Sequence, residues 1–212
     1  MKTIYLYVLE TLADWEIGYL TAELHSRRFF KQDGPQLTLK TVSYSREPIT
    51  TMGGMTLTPD CLVSEIPLSE TVMLILPGAD TWNHPEHVAI LEKTKDLLAV
   101  GATVAGICGA TVALANHGLL DDVLHTSNGP GFLEMFSPTY LGQDNYRNQP
   151  VVVANNLITA NSTAGLLWTK EIIKELAVFQ PATLTAWTNY FSSGDANYFY
   201  ELLETLPASP QV

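Results

Sequence analysis

Three short segments of this chain carry residues whose types and spacing fit nucleophilic chemistry. The first is Ala105-Gly106-Ile107-Cys108-Gly109-Ala110, an apolar run that ends in a cysteine and passes at once into a helix-forming stretch. A sharp strand-to-helix turn of this kind presents a side chain at the edge of a sheet, and it needs small neighbours to avoid clashes. Gly106, Gly109 and Ala110 supply them. Free N–H groups at the helix start favour thiolate over thiol, so the Cys108 pKa is expected below the usual value of about 8.5. The bland alternative is a small buried cysteine in a tight turn. The second segment holds Glu16, just past the first strand and one helical turn before Leu20. There a carboxyl faces either a crevice beside the sheet or solvent as an ordinary first-turn acid. In the crevice, desolvation and a neighbouring anion both raise its pKa. The third is Pro77-Gly78-Ala79-Asp80, a turn whose N–H groups are free to hold an oxyanion.

The remaining candidates are weaker. His125 and Asn128 lie in a loop after Leu120 that can reach the same crevice. His84 and His87, three apart at a helix start, share a face, but no third ligand lies nearby and no metal site is expected. His25 and His117 read as surface or capping residues, and Cys61 as a small buried one. Trp187, Tyr190, Phe191, Tyr198, Phe199 and Tyr200 read as the packing face of a C-terminal tail, covering either the domain or a partner.

Strands and helices alternate behind these segments. Ile4–Leu9 is predicted as a buried first strand, with Asp14 capping a helix to about Phe30. Leu37–Val42 follows as a strand, then a Gly- and Pro-marked hairpin excursion over 48–60. Val72–Leu76 is a buried strand. Pro85 opens a helix to about Val100 with Val88, Leu91 and Leu98 inward. Ala102–Ile107 is the strand before Cys108, and a short helix runs from Gly109 to His117. A loop-rich part covers 121–149. Val151–Ala154 and Leu157–Ala160 form strands joined at Asn155-Asn156. Thr163–Phe179 is an amphipathic helix with Trp168, Ile172, Leu176 and Phe179 on one face. Further helices are expected near 182–191 and 195–205. Such alternation gives an α/β fold with a mostly parallel sheet covered on both sides. Ligands then bind beyond the carboxyl ends of the strands, where loops 10–15, 77–84 and 107–111 lie.

Composition narrows the function. The chain has 212 residues and a formal net charge of −11, with 46% hydrophobic and only 16% charged residues. That is a folded composition with no need of disulfide staples. The acidity disfavours nucleic acid, whose phosphates require clustered cations; the only basic pair is Arg27-Arg28. No run approaches a membrane span, no secretory leader is recognisable, and two cysteines make no disulfide framework, so a cytoplasmic setting without a membrane partner is expected.

Leu74-Ile75-Leu76-Pro77-Gly78-Ala79, the Cys108 elbow, Gly118-Leu119-Leu120-Asp121 and Leu157-Ile158-Thr159-Ala160 stand in the order of a known group. Over about residues 1–180 the chain resembles the PfpI / Parkinson-disease deglycase superfamily, a branch of the class I glutamine amidotransferase-like proteins. The resemblance implies a flavodoxin-like three-layer sandwich, with residues 181–212 as a helical extension packed on it or on a dimer partner. It implies a homodimer, a Cys108 nucleophile and a Glu16 hydrogen-bonded to it, with Gly78, Ala79 and Gly109 N–H groups around the oxyanion. Two positions depart from the group: Gly109 stands where peptidase-type members have a histidine after the cysteine, and Asn128 falls at the register of another family histidine, with His125 a substitute if the loop shifts. The expected function is a cysteine-dependent hydrolase or lyase acting on a small carbonyl substrate, without metal or cofactor. The rival is a non-catalytic oxidative-stress sensor or chaperone using Cys108 oxidation; peptidase and amidotransferase activities rank lower, because a leaving amine needs a proton donor.

Overall fold

A computed structural model describes residues 2–207. Nine strands and seven helices are found among them: β1 Lys2–Tyr7, α1 Asp14–Ser26, β2 Leu37–Ser43, β3 Ile49–Thr50, β4 Thr56–Leu57, β5 Cys61–Leu62, β6 Thr71–Leu76, α2 Val88–Ala99, β7 Thr103–Ile107, α3 Gly109–Asn116, α4 Phe132–Phe136, β8 Val151–Ala154, β9 Leu157–Ala160, α5 Gly165–Glu175, α6 Pro181–Ser193 and α7 Ala196–Glu204. Seven strands make one sheet in the order β5-β2-β1-β6-β7-β9-β8. All neighbours are parallel except the β8–β9 hairpin. This is the mostly parallel, helix-flanked sheet of the flavodoxin-like architecture.

The topology follows from chain chirality. From β1 the chain steps one way across the sheet to β2, and from β6 it steps the other way to β7. Right-handed crossovers therefore put α1 and α2 on opposite faces. Helix α5 packs against α1, and α2 and α3 lie over β7. Because the direction of travel reverses between β1 and β6, their carboxyl ends flank an open crevice. The central strands are buried on both faces, with Met73 through Leu76 and Val104 through Ile107 excluded from solvent. That is why they read as unbroken apolar runs rather than alternating ones.

Several boundaries differ from expectation, each for a local reason. The first strand ends at Tyr7, and Val8 and Leu9 begin the turn that leads to α1, still fully buried. Ala13, not Asp14, caps α1; the Asp14 carboxylate instead accepts the Gly53 N–H at 2.6 Å and ties down the β3–β4 hairpin. Helix α1 stops at Ser26 because Arg27 turns left-handed (φ 56°), swinging Arg28 back onto buried Glu23 and Phe29 against Phe179. Pro85 opens a 3-10 turn rather than the helix, which rotates the following residues: Val88 is exposed, and Ile90, Leu91, Thr94 and Leu97 face inward. Helix α5 ends at Glu175, short of Phe179, because Ala177 has φ 51°; Leu176 and Phe179 are buried nevertheless. Helix α4 lies inside the stretch read as loop. The tail forms α6 and α7, with α6 packed on α5, while residues 208–212 lie outside the described part. No helix among the described residues is long and apolar enough to cross a membrane.

Candidate active site

The loops after β1, β6 and β7 meet at the crevice, and hydrogen bonds bind the first two together. Ala13 N–H donates to Gly78 O at 2.9 Å, Asp80 N–H to Thr11 Oγ1 at 2.8 Å, and the Thr81 hydroxyl to Glu10 O at 2.9 Å. Glu16, in the first turn of α1, is thereby held under the 77–79 turn. It is fully buried, and its Oε2 accepts the Gly78 N–H at 2.6 Å. A side chain at Gly78 would meet both Glu16 oxygens and the Cys108 Cβ within 2.8 Å. Glycine at this position is what allows the carboxyl and the cysteine to face each other.

Cys108 sits between β7 and α3 with φ 56° and ψ −123°, a conformation that favours glycine. Strain of this sort costs on the order of 1–3 kcal/mol and persists only where the surroundings impose it. Here Cys108 N–H donates to Ala160 O at 3.0 Å, and its carbonyl accepts from Thr111 N–H at 3.0 Å and the Thr111 hydroxyl at 2.5 Å. Thr111 is bonded in turn to Ser127 at 2.6 Å. Asn128 follows, with its Oδ1 accepting Ser162 N–H at 2.9 Å, which orients the amide so that Nδ2 donates to Cys108 Sγ at 3.4 Å.

The electrostatics of the pair correct the expectation of a low thiol pKa. Burial pushes the Glu16 carboxyl up to about 7, partly offset by the Gly78 N–H and by Cys108. Burial, and then the negative charge of Glu16, push the Cys108 thiol up to about 11, against the Asn128 amide and the Gly109 N–H. Desolvation thus outweighs the helix terminus at this sulfur. Between those two values the pair holds one proton, resident mainly on sulfur. Glu16 Oε1, buried and without another partner, is the position to which that proton can move.

The other sequence candidates are placed as follows. Gly78 N–H is engaged by Glu16 and not free for an oxyanion. The Ala79 N–H meets no acceptor among the described residues, and the backbone of Ala79 lies directly over Gly109, where an added Cβ would come within 2.8 Å of Ala79 O. Gly109 N–H is thereby at the Cys108 sulfur, and Ala79 lines the same cleft. His125 is not there: it is fully buried, with Nδ1 donating to Val123 O at 2.7 Å and Nε2 accepting from the Tyr140 hydroxyl at 2.6 Å. Burial lowers its pKa and keeps it neutral. His87 is likewise a core residue, 2.7 Å from the Tyr7 hydroxyl, while His84 pairs with Glu86. No three His, Cys, Asp or Glu side chains converge on a metal-sized site among the described residues.

Cys108 opens into a cleft of about 520 Å³ walled by Trp15, Met52, Trp82, Val112, Phe132 and Phe136, with Asp80, Asn83 and Asn116 among its polar groups. No motif in the sequence marks these aromatic walls as part of a site. Their signal was proximity in sequence: Trp15 adjoins Glu16, and Trp82 closes the 77–82 turn through its Nε1–H bond to Pro77 O at 2.9 Å. A depression of about 650 Å³ at the opposite end of the sheet, around Lys2, Met73 and Thr103, contains no Cys or His.

Known proteins bear out the architecture. The model of the DJ-1/PfpI family matches residues 2–175. The uncharacterized protease YoaZ of Bacillus subtilis (strain 168) is 43% identical over 205 residues, spanning 97% of this chain and 98% of the relative. The crystal structure of a thiJ/pfpI family protein from Bacillus anthracis superposes with a TM-score of 0.92 at 42% identity, covering 97% of this chain and 98% of the other. The DJ-1 superfamily protein Atu0886 from Agrobacterium tumefaciens gives a TM-score of 0.80 at 29% identity, over 92% and 99% of the two chains.

Proposed function

The chain belongs to the DJ-1/PfpI family, and we propose that it is a cysteine-dependent hydrolase or lyase acting on a small carbonyl compound through Cys108. The observation that carries this is the buried Glu16 carboxyl beside the sulfur, with a pKa brought to about 7. A base that titrates near neutrality both accepts and returns a proton efficiently. Glu16 takes the thiol proton as the sulfur adds to the carbonyl carbon. The C=O electron pair moves to oxygen, where the Ala79 and Gly109 N–H groups hold the negative charge. Glu16 then protonates that oxygen, giving a hemithioacetal. With an α-oxoaldehyde, Glu16 next takes the carbon-bound proton of the adduct, leaving an enediolate, and returns it to the adjacent carbon, while the hydroxyl proton of the former aldehyde oxygen passes to the neighbouring oxygen and a C=O bond re-forms beside the sulfur. The resulting thioester is opened by water to a 2-hydroxy acid and free thiol. Net, one water is added and no external oxidant or reductant is consumed.

The name of the Bacillus subtilis relative raises peptide hydrolysis as an alternative. The residue at the sulfur is Asn128, which has no proton to give a leaving amine at neutral pH. A second reading is a redox sensor in which peroxide oxidises Cys108 to a sulfinate that protonated Glu16 steadies by a hydrogen bond. The same raised carboxyl supports it. Assembly as a homodimer and residence in the cytoplasm belong to the same proposal.

Turnover of a panel of α-oxoaldehydes, esters, amides and casein separates these readings. Expected is aldehyde turnover that disappears in Cys108→Ser and falls at least about 10²-fold in Glu16→Gln, with casein untouched. Casein cleavage lost in Cys108→Ala would establish the peptidase instead, and sulfinate formation without any turnover would establish the sensor.

A further inference from the structure

We propose that the Cys108 cleft selects uncharged electrophiles bearing an aromatic or bulky apolar group, and turns away anionic ones. This rests on Cys108 being the nucleophile and names the substrate class of that site. Two observations support it. First, the described lining contains no Lys, Arg or His, whereas Asp80 lies on the wall and Glu16 beneath the sulfur. A carboxylate or phosphate entering the cleft leaves its hydration without gaining a cation, and it meets like charge. α-Keto acids, phosphorylated aldehydes and the α-carboxylate of glutamine all share that handicap.

Second, the wall aromatics present apolar faces because their polar atoms are already used. Trp82 Nε1–H donates to Pro77 O at 2.9 Å and Trp15 Nε1–H to Ser162 O at 3.2 Å. Phe132 and Phe136 pack at 4.8 Å between ring centroids at the other side of the opening. Phe136 and Trp15 are more than half exposed. Covering them with an apolar substituent removes that surface from water. The neutral amides of Asn83, Asn116 and Asn128 suit a carbonyl or hydroxyl on the same molecule.

The test reads the cleft without requiring turnover. On a Cys61→Ser background, Cys108 alkylation is timed with iodoacetamide, iodoacetate and iodoacetanilide. These three reagents share one leaving group and differ in charge or in an added phenyl ring. Each rate is divided by that of 2-mercaptoethanol with the same reagent; the thiol pKa is common to all three and cancels in the ratios. Expected is iodoacetate at least about 10-fold slower than iodoacetamide, and iodoacetanilide at least about 5-fold faster. Asn83→Arg, on an exposed wall position, should restore most of the iodoacetate rate, and Phe136→Ala should remove most of the anilide advantage. Normalised rates within twofold for all three reagents would overturn the proposal. Selective alkylation in a protein that turns over no carbonyl would overturn the enzymatic reading while leaving the selectivity intact. Carbonyl turnover without the selectivity would do the reverse.

Discussion

Glu16 is a carboxyl kept where water does not reach it, and the consequence is measurable. Its folded-state pKa of about 7 lies above the ordinary glutamate value, so the folded protein binds protons more tightly than the unfolded chain does. Stability therefore falls as pH rises from the unfolded value through 7, the reverse of a salt-bridged acid. At about 1.4 kcal/mol per unit, Glu16→Gln should stabilise the protein by roughly 2–3 kcal/mol more at pH 8 than at pH 4.5, read from urea midpoints at both values. The same variant removes the like charge beside sulfur, so the thiolate absorbance of Cys108 should titrate at lower pH than in the parent. A urea difference independent of pH would mean that Glu16 is hydrated and carries no proton for Cys108. In the parent, reactivity that depends on proton transfer to Glu16 should rise with pH through about 7, and this inflection should vanish in Glu16→Gln.

At the scale of the element, the strand–turn–helix of β7 and α3 holds Cys108 in a backbone conformation that a glycine would occupy without strain. Cys108→Gly and Cys108→Ala both abolish the nucleophile, but only alanine keeps the strain. The glycine variant should be the more stable by about 1–2 kcal/mol, measured by denaturant titration. Equal stabilities would show that the turn is relaxed and that the presentation of half-buried Cys108 to the cleft owes nothing to stored strain. The neighbouring glycines act differently: Gly78 and Gly109 leave room for Glu16 and for the Ala79 carbonyl. Gly109→Ala should therefore shift the 77–79 turn, lowering Cys108 reactivity more than stability.

At the scale of the molecule, the C-terminal helices are part of the packed body on the α1–α5 face. Trp187 of α6 is fully buried, edge-on to Phe179 and Tyr19, and its Nε1–H donates to Glu23 at 3.0 Å. Glu23, itself buried, also holds Arg28 in a two-point ion pair. Trp187→Ala should cost about 3–5 kcal/mol through the cavity it leaves. Trp187→Phe should cost about 1–3 kcal/mol, because Glu23 loses one donor while keeping Arg28. A loss under 1 kcal/mol in the alanine variant would make residues 181–207 an independent appendage.

The residue order alone fixed much of this protein. The apolar runs at 72–76 and 102–107 identified buried strands of a mostly parallel sheet, and small residues around Cys108 identified the elbow, because sterics and periodicity are local. Spacing alone left the carboxyl one turn into the first helix between crevice and solvent, since that depends on how β1 and β6 diverge, and only the family resemblance set Glu16 against Cys108. Only the tertiary structure decided four things: that Gly78 N–H serves Glu16, that Asn128 rather than His125 reaches the sulfur, that aromatic walls from three separated segments close around it, and that desolvation raises the thiol pKa. Each depends on burial and on bringing together residues far apart in the chain, such as Glu16 and Gly78 or Trp15 and Phe136, and burial is a property of the packed whole that no local pattern encodes.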